Sequence, residues 1–248
     1  MSLPMNTMKR FAVCLCLWGL FCSLPAWAVG STPSLDDDDA MLDKVSVTVA
    51  DPLKPINRVI HSFNDVVIDY VARPLYTGYS YVTPRFVRTG IGNAFHNALF
   101  PVRFVNNILQ GKGKAAGVEM SRFVLNTTAG LGGLINVAEN HKTIVPVSDE
   151  DLGQTFGVWG MGEGVYLVLP FFGPSTLRDT IGKVGDNFLD PLTYISPTGL
   201  SLGLKGGRTF NELDGVLDQY DNINRMAVEP YTAFRDAYVQ HRRALIAK

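Results

Sequence analysis

Pro55-Ile56-Asn57-Arg58-Val59-Ile60-His61-Ser62-Phe63-Asn64-Asp65-Val66-Val67-Ile68-Asp69-Tyr70-Val71 is the stretch that decides the fold class. Its apolar residues, Ile56, Val59, Ile60, Phe63, Val66, Val67, Tyr70 and Val71, recur at the i, i+3, i+4, i+7 spacing of one helix face. Asn57, Arg58, His61, Ser62, Asn64, Asp65 and Asp69 make the opposite face polar. Strands would show alternation instead, and alternation is scarce, with residues 45–49 its best case. The reading is an all-α fold.

Outward from this helix the chain reads as short helices punctuated by proline and glycine. Arg73-Pro74 is predicted to end the first, because the residue before a proline is pushed out of the α region. Pro84 opens a second helix, through Phe86, Val87, Ile91, Phe95 and Ala98. Pro101 opens a short one closed by Gln110-Gly111, and another covers about 114–128. Ser148-Asp149-Glu150-Asp151 reads as a cap with acidic residues ahead of a helix holding Leu152, Phe156 and Val158. Beyond Gly157, Gly160, Gly162 and Gly164 lies an apolar run, 165–172, too short and too broken at Pro170 to cross a bilayer. Further helices are expected over 174–189, 208–226 and 230–247.

Residues 1–28 carry the parts of a cleavable export signal: basic Lys9 and Arg10, an apolar run over 11–24, and small Ala26 and Ala28, which set the cut before Val29. The run falls short of the roughly 20 residues of a membrane span, which weighs against a retained anchor. Cys14, Cys16 and Cys22 all lie there, so no disulfide or thiolate site is expected in the mature chain. Export also leaves 20 basic against 23 acidic residues, a balance that argues against a nucleic-acid partner. Residues 29–50, with Asp36 to Asp39, read as a flexible acidic linker. That leaves 51–248 as one helical domain.

The chain shows no enzyme signature and no cofactor or metal is expected. It has no G-x-S-x-G elbow, and His61, His96, His141 and His241 lie far apart without metal-ligand spacing. A metal assembled only by tertiary contact stays open. The glycine cluster lacks the lysine of a phosphate cradle. Arg178-Asp179 and Glu150-Asp151 read as helix-surface ion pairs and an acidic first turn. With 14 Phe and 9 Tyr in short striped helices, the balance shifts toward a membrane or lipid role.

Particular strings then resemble the VacJ/MlaA family of outer-membrane proteins in order and spacing. They begin with Asp51-Pro52-Leu53, Asn57-Arg58, Phe63-Asn64, Asn106-Asn107-Ile108-Leu109-Gln110-Gly111, Arg122-Phe123 and Asn126-Thr127. They continue through Asp151-Leu152-Gly153-Gln154-Thr155-Phe156-Gly157, Trp159-Gly160, Tyr166-Leu167-Val168-Leu169-Pro170, Phe172-Gly173-Pro174-Ser175, Arg178-Asp179 and Pro230-Tyr231 with Arg235, Tyr238 and Arg242. The resemblance implies a ring-like domain of short amphipathic helices around a central channel, lying in the periplasmic leaflet of the outer membrane. It implies a transport component that breaks no chemical bond. Mislocalised phospholipids would leave the outer leaflet through it and pass to a soluble periplasmic phospholipid carrier (MlaC-like), with a trimeric porin as a further partner. Such a channel lowers the cost of moving a charged headgroup through an apolar layer.

On this basis Asn57, Arg58, His61, Asn64 and Arg122 are the expected headgroup path, and Ile56, Val59, Phe63 and Val67 the face toward membrane or core. Three positions depart from the family pattern. Phe21 stands before Cys22 where a lipoprotein signal has a small residue, which favours the cut at Ala28 over a lipid anchor; Val165 and Asn136 replace a usual proline and aspartate. The competing reading is a structural protein of the cell envelope without channel activity.

Overall fold

The computed structural model describes residues 49–248. The export signal with its Ala28–Val29 cut, and nearly all of the 29–50 linker and the 45–49 strand, fall outside the described residues.

Helix α1, Lys54–Val67, starts with a proline in its first turn, where the missing N–H costs no bond. It does not end at Arg73-Pro74 as expected. A π turn, Ile68–Ala72, carries it into α2, Arg73–Val82, with Arg73 in the α region at φ −61° and ψ −52°. Arg73 N–H donates to the carbonyl of Ile68, five residues back. That wider turn gives the Pro74 ring the room a regular turn denies it.

Then come α3 (Arg85–Ala98), α4 (Phe100–Leu109), α5 (Gly113–Thr128) and α6 (Leu152–Val158), close to where the punctuation set them. Asp151 caps α6, accepting from Gln154 N at 2.7 Å. The apolar run at 165–172 and the expected start of the next helix together make a hairpin instead. Strand β1, Tyr166–Leu169, pairs antiparallel with β2, Gly173–Thr176, Tyr166 opposite Thr176 and Leu169 opposite Gly173. Thr176 then caps α7, Leu177–Asp186, so that helix begins three residues later than the sequence suggested. The expected 208–226 helix is two: α8 (Thr198–Asn211) and α9 (Leu213–Met226) meet at Glu212. Helix α10, Pro230–Ile246, closes the chain.

The elements pack in a closed circuit. Helix α1 lies on β1, β2 on α7, α7 on α6, α6 on α4, α4 on α3, α3 on α8, α8 on α9, and α9 on α2, which continues α1. Helix α10 braces the hairpin, α6 and α9. The all-α, ring-like expectation thus stands, with one small hairpin in the wall.

Burial runs opposite to a water-soluble domain. Among the described residues, 21 polar or charged residues are buried against 15 apolar ones, so polar groups dominate the interior. Exposed to solvent are 31 large apolar side chains. In α1 these are Ile56, Val59, Phe63, Val66 and, past its end, Tyr70; in α7 and just beyond, Leu177, Ile181, Val184 and Phe188. No helix among the described residues is long and apolar enough to cross a membrane.

Candidate functional site

The polar face of α1 is turned onto the hairpin. Asn57, 2% exposed, donates to Tyr166 O at 3.1 Å and to Asp51 Oδ1 at 2.9 Å, and accepts from Val168 N at 2.9 Å. Two turns on, Asn64 donates to Leu169 O at 3.0 Å and accepts from Phe171 N at 2.8 Å. Seven helical residues rise about 10.5 Å, close to the roughly 10 Å spanned by three strand residues. The two amides therefore act as a surrogate strand along β1. Phe171, at φ +66°, holds a conformation that non-glycine residues rarely adopt, fixed by the Asn64 bond and by edge contact with the Phe63 ring at 5.2 Å.

A charged node ties α6, α7 and α10. Asp179 accepts from Tyr238 OH at 2.7 Å, Arg178 Nε at 3.0 Å and Arg242 Nε at 3.1 Å, while Arg242 also reaches Asp151 at 2.6 Å. Burial alone would raise the Asp179 carboxyl, but Arg242 and Arg178 outweigh it and hold it down to about 2. Arg178 and Asp179, expected on a helix surface, are 4% and 2% exposed, and Glu150 is 4% exposed. Arg178 and Asp179 are interior groups because α6 and α7 approach so closely that a Cβ on Gly182 would sit 2.6 Å from Gly153 Cα, while Glu150 is held by Gln110 and Lys112. Beside this node, burial and then the charge of Asp151 push Asp186 up to about 7, against hydrogen bonds from Leu152 N and Asn106.

A second charged cluster gathers around Asp149, whose side chain is 62% open to solvent. Burial pushes the Asp149 carboxyl up, but His96 Nε2 at 3.2 Å and Arg103 Nε at 3.4 Å bring it below the usual range, with Arg122 adding its field. Arg103 is also paired at 2.9 Å with Glu119. Glu212, raised mainly by burial, feels Arg208, His96 and Asp149. Helices α3, α4, α5 and α8 and the loop before α6 thus converge on one charged cluster.

The expected site residues divide between these places. Asn57 and Asn64 are bound to β1. His61 lies edge-on to Tyr231 and tilted against Phe234, 3.8 Å from Asp65. Arg58 is exposed, 3.0 Å from Glu229 and over the Tyr231 ring. Arg122, 7% exposed, donates to Ile144 O and Asn136, and of the five its field reaches Asp149. Ile56, Val59 and Phe63 are 57%, 70% and 44% exposed, and Val67 is half-buried. Sequence reasoning missed Asp149, Glu212, His96, Arg103 and Arg208, which carry no local motif; for His96, Arg103 and Arg208 the sequence signal is charge inside otherwise apolar helices.

A family model described as MlaA lipoprotein matches residues 49–245. The chain is 36% identical over 197 residues to the intermembrane phospholipid transport system lipoprotein MlaA of Escherichia coli strain K12, covering 77% of this chain and 76% of that protein. It is 32% identical to the protein of the same name from Haemophilus influenzae, covering 77% of each. A solved structure described as the structural basis for maintenance of bacterial outer membrane lipid asymmetry superposes with a TM-score of 0.70 at 32% identity, covering 80% of this chain and 100% of that one. With the match running through the hairpin, the charged node and every helix of the circuit, this chain belongs to the MlaA lipoprotein family.

Proposed function

We propose that this chain is a non-enzymatic phospholipid transport component of the outer membrane. It removes mislocalised phospholipid from the outer leaflet and passes it to a soluble periplasmic carrier, with a trimeric porin as its neighbour in the membrane. The observation that carries this reading is the inverted burial, with apolar side chains outside and charged ones within a closed circuit of helices. In water so much exposed apolar surface is costly, at about 25 cal/mol per Å². Against acyl chains that cost disappears, and helices too short to cross a bilayer lie within one leaflet. The charged cluster of Asp149, Glu212, His96, Arg103 and Arg122 offers a headgroup the polar surroundings that the hydrocarbon layer denies it. Asn57 and Asn64 serve this path by holding the hairpin in the wall.

Deletion of the gene tests the proposal. Phospholipid accessible to a phospholipase added outside the cell should rise, detergent resistance should fall, and the intact gene should restore both. A deletion strain unchanged in both measures refutes transport and leaves a purely structural envelope role.

A further inference from the structure

The inward side of α1 leaves a gap. His61, Asn64, Asp65 and, just past its end, Ile68 stand at i, i+3, i+4 and i+7, on the side opposite the exposed Val59, Phe63, Val66 and Tyr70. All four line a cleft closed by the hairpin turn, α9 and α10. Its empty volume is about 580 Å³, mouth included, within the ~300–1,000 Å³ of clefts that hold one small ligand. Ile68, Phe172, Pro174, Val216, Ile223 and Phe234 make the walls mainly apolar.

The polar groups on the α1 side are already engaged within the protein. Asn64 bonds Leu169 O and Phe171 N, and Tyr220 OH donates to Asp65 Oδ1 at 2.6 Å. His61 Nε2 lies 3.8 Å from Asp65 Oδ2, and its ring rests against Phe234 at 5.4 Å. Among the described residues the lining holds one carboxylate, Asp65, and no lysine or arginine. A phosphate would therefore find no cation there and would meet a like charge. What suits apolar walls with engaged polar groups is hydrocarbon. The exposed apolar stripe of α1 reaches the same hairpin turn: Phe63 meets Phe171 at 5.2 Å, Phe171 is exposed, and the next residue, Phe172, lines the cleft.

We propose that this cleft seats one acyl chain of a phospholipid, entering past the Phe63–Phe171 edge with the headgroup left outside. The inference rests on the transport reading and adds to it a seat for one chain, sharing no lining residue with the charged cluster around Asp149. In a phospholipid the chain begins at a neutral ester, which Asp65 tolerates. A free fatty acid begins at a carboxylate, which Asp65 repels.

The test uses the full chain held in an amphipathic polymer and titrated with short-chain phosphatidylglycerols of increasing chain length. Binding should tighten about fourfold per added methylene until the cleft is full, and then level off. A single-chain lysophosphatidylglycerol should show the same plateau, and phosphatidylethanolamine should match phosphatidylglycerol at each length. Val216→Trp and, separately, Ile223→Trp fill the cleft and should weaken binding at least ~tenfold, the worth of fewer than two methylenes. Val59→Trp, on the outward stripe, should leave binding unchanged. Circular dichroism and melting confirm the fold of each variant, and Val216→Ala, which enlarges the cleft, should move the plateau to longer chains. Binding that ignores chain length, or that survives both filling variants, overturns the proposal. So does a free fatty acid that binds as tightly as the phospholipid of equal chain length, which would mark a fatty-acid site. Filling variants that bind as before in a chain whose deletion still loads the outer leaflet with phospholipid refute this inference alone; an unchanged deletion strain refutes the transport reading.

Discussion

Replacing Arg242 with methionine gives the sharpest test of the charged node. The guanidinium spans Asp151 and Asp179, with bonds of 2.6 to 3.1 Å, and Asp179 and Tyr238 are almost wholly buried around it. Removing one partner of a buried ion pair costs about 3–5 kcal/mol, because the remaining charge is left without compensation. Here Asp151 loses its guanidinium outright and Asp179 keeps only Arg178, so a loss of about 4 kcal/mol is expected at pH 7. The dependence on pH fixes the mechanism. In the unaltered protein Asp179 sits at about 2, below its unfolded value near 4, so its contribution is present above pH ~4 and is lost as pH falls toward 2. Without Arg242, burial and the charge of Asp179 place the folded Asp151 carboxyl above its unfolded value, and protonation relieves it. The difference in unfolding free energy should then grow from about 1–2 kcal/mol at pH 4 to about 4 kcal/mol at pH 7. Denaturant unfolding in micelles, followed by circular dichroism, measures it. Arg243→Met is the control. It removes an exposed pair with Glu163 worth about 0–1 kcal/mol. A loss below about 1 kcal/mol for Arg242→Met, or one that does not change with pH, would refute the reasoning.

Gly182→Ala forces a Cβ against the backbone of Gly153 and should lower stability by about 3 kcal/mol. Gly162→Ala, which meets open space, should stay within about 0.5 kcal/mol; matched thermal melts compare the two, and equal melts would contradict the close approach of α6 and α7. Asp186, raised to about 7 when folded, binds a proton that the unfolded chain has already lost, so its contribution declines as pH rises from about 4 to 7, by up to ~4 kcal/mol. Asp186→Asn should remove that slope in pH-dependent unfolding. Asn57→Leu strands Tyr166 O and Val168 N inside the protein and should cost about 2–4 kcal/mol. Hydrogen exchange should show amides 166–171 losing protection, and retained protection would mean that β1 does not depend on α1.

Most helices were legible because prolines and glycines mark their ends. Pro84, Pro101, Gly111 and Asp151 act locally, and α3, α4, α5 and α6 begin and stop beside them. The failures came where a tertiary partner overrides the local signal. A π turn lets α1 run past Pro74, and the strand at Gly173–Thr176 exists because β1 and two asparagines of α1 supply its context. The charged cluster around Asp149 was hidden for a related reason. His96, Arg103, Asp149, Arg208 and Glu212 come from distant parts of the chain, and each alone looks like an ordinary surface charge. Arg178 and Asp179 misled similarly, since adjacent opposite charges look like surface partners until Gly153 and Gly182 bring two helices over them.

The direction of an amphipathic helix is the deeper limit. Periodicity gives α1 two faces but not which of them is inside, since the same stripe of Val59, Phe63 and Val66 serves a core or an acyl layer equally well. What settles the sign is the polar face. Asn57 and Asn64 can be buried only if each polar atom on that side finds a partner, and their spacing of two turns matches the hydrogen-bonding groups along β1. A helix that satisfies its amides internally is free to turn its apolar stripe outward, and it has reason to do so only where the surroundings are apolar. The hairpin is therefore the element that lets α1 be inverted. The same logic holds around the circuit: Arg103 with Glu119, Lys205 with Asp190 and Arg242 with Asp179 each place a satisfied charge within, leaving aliphatic and aromatic side chains for the exterior.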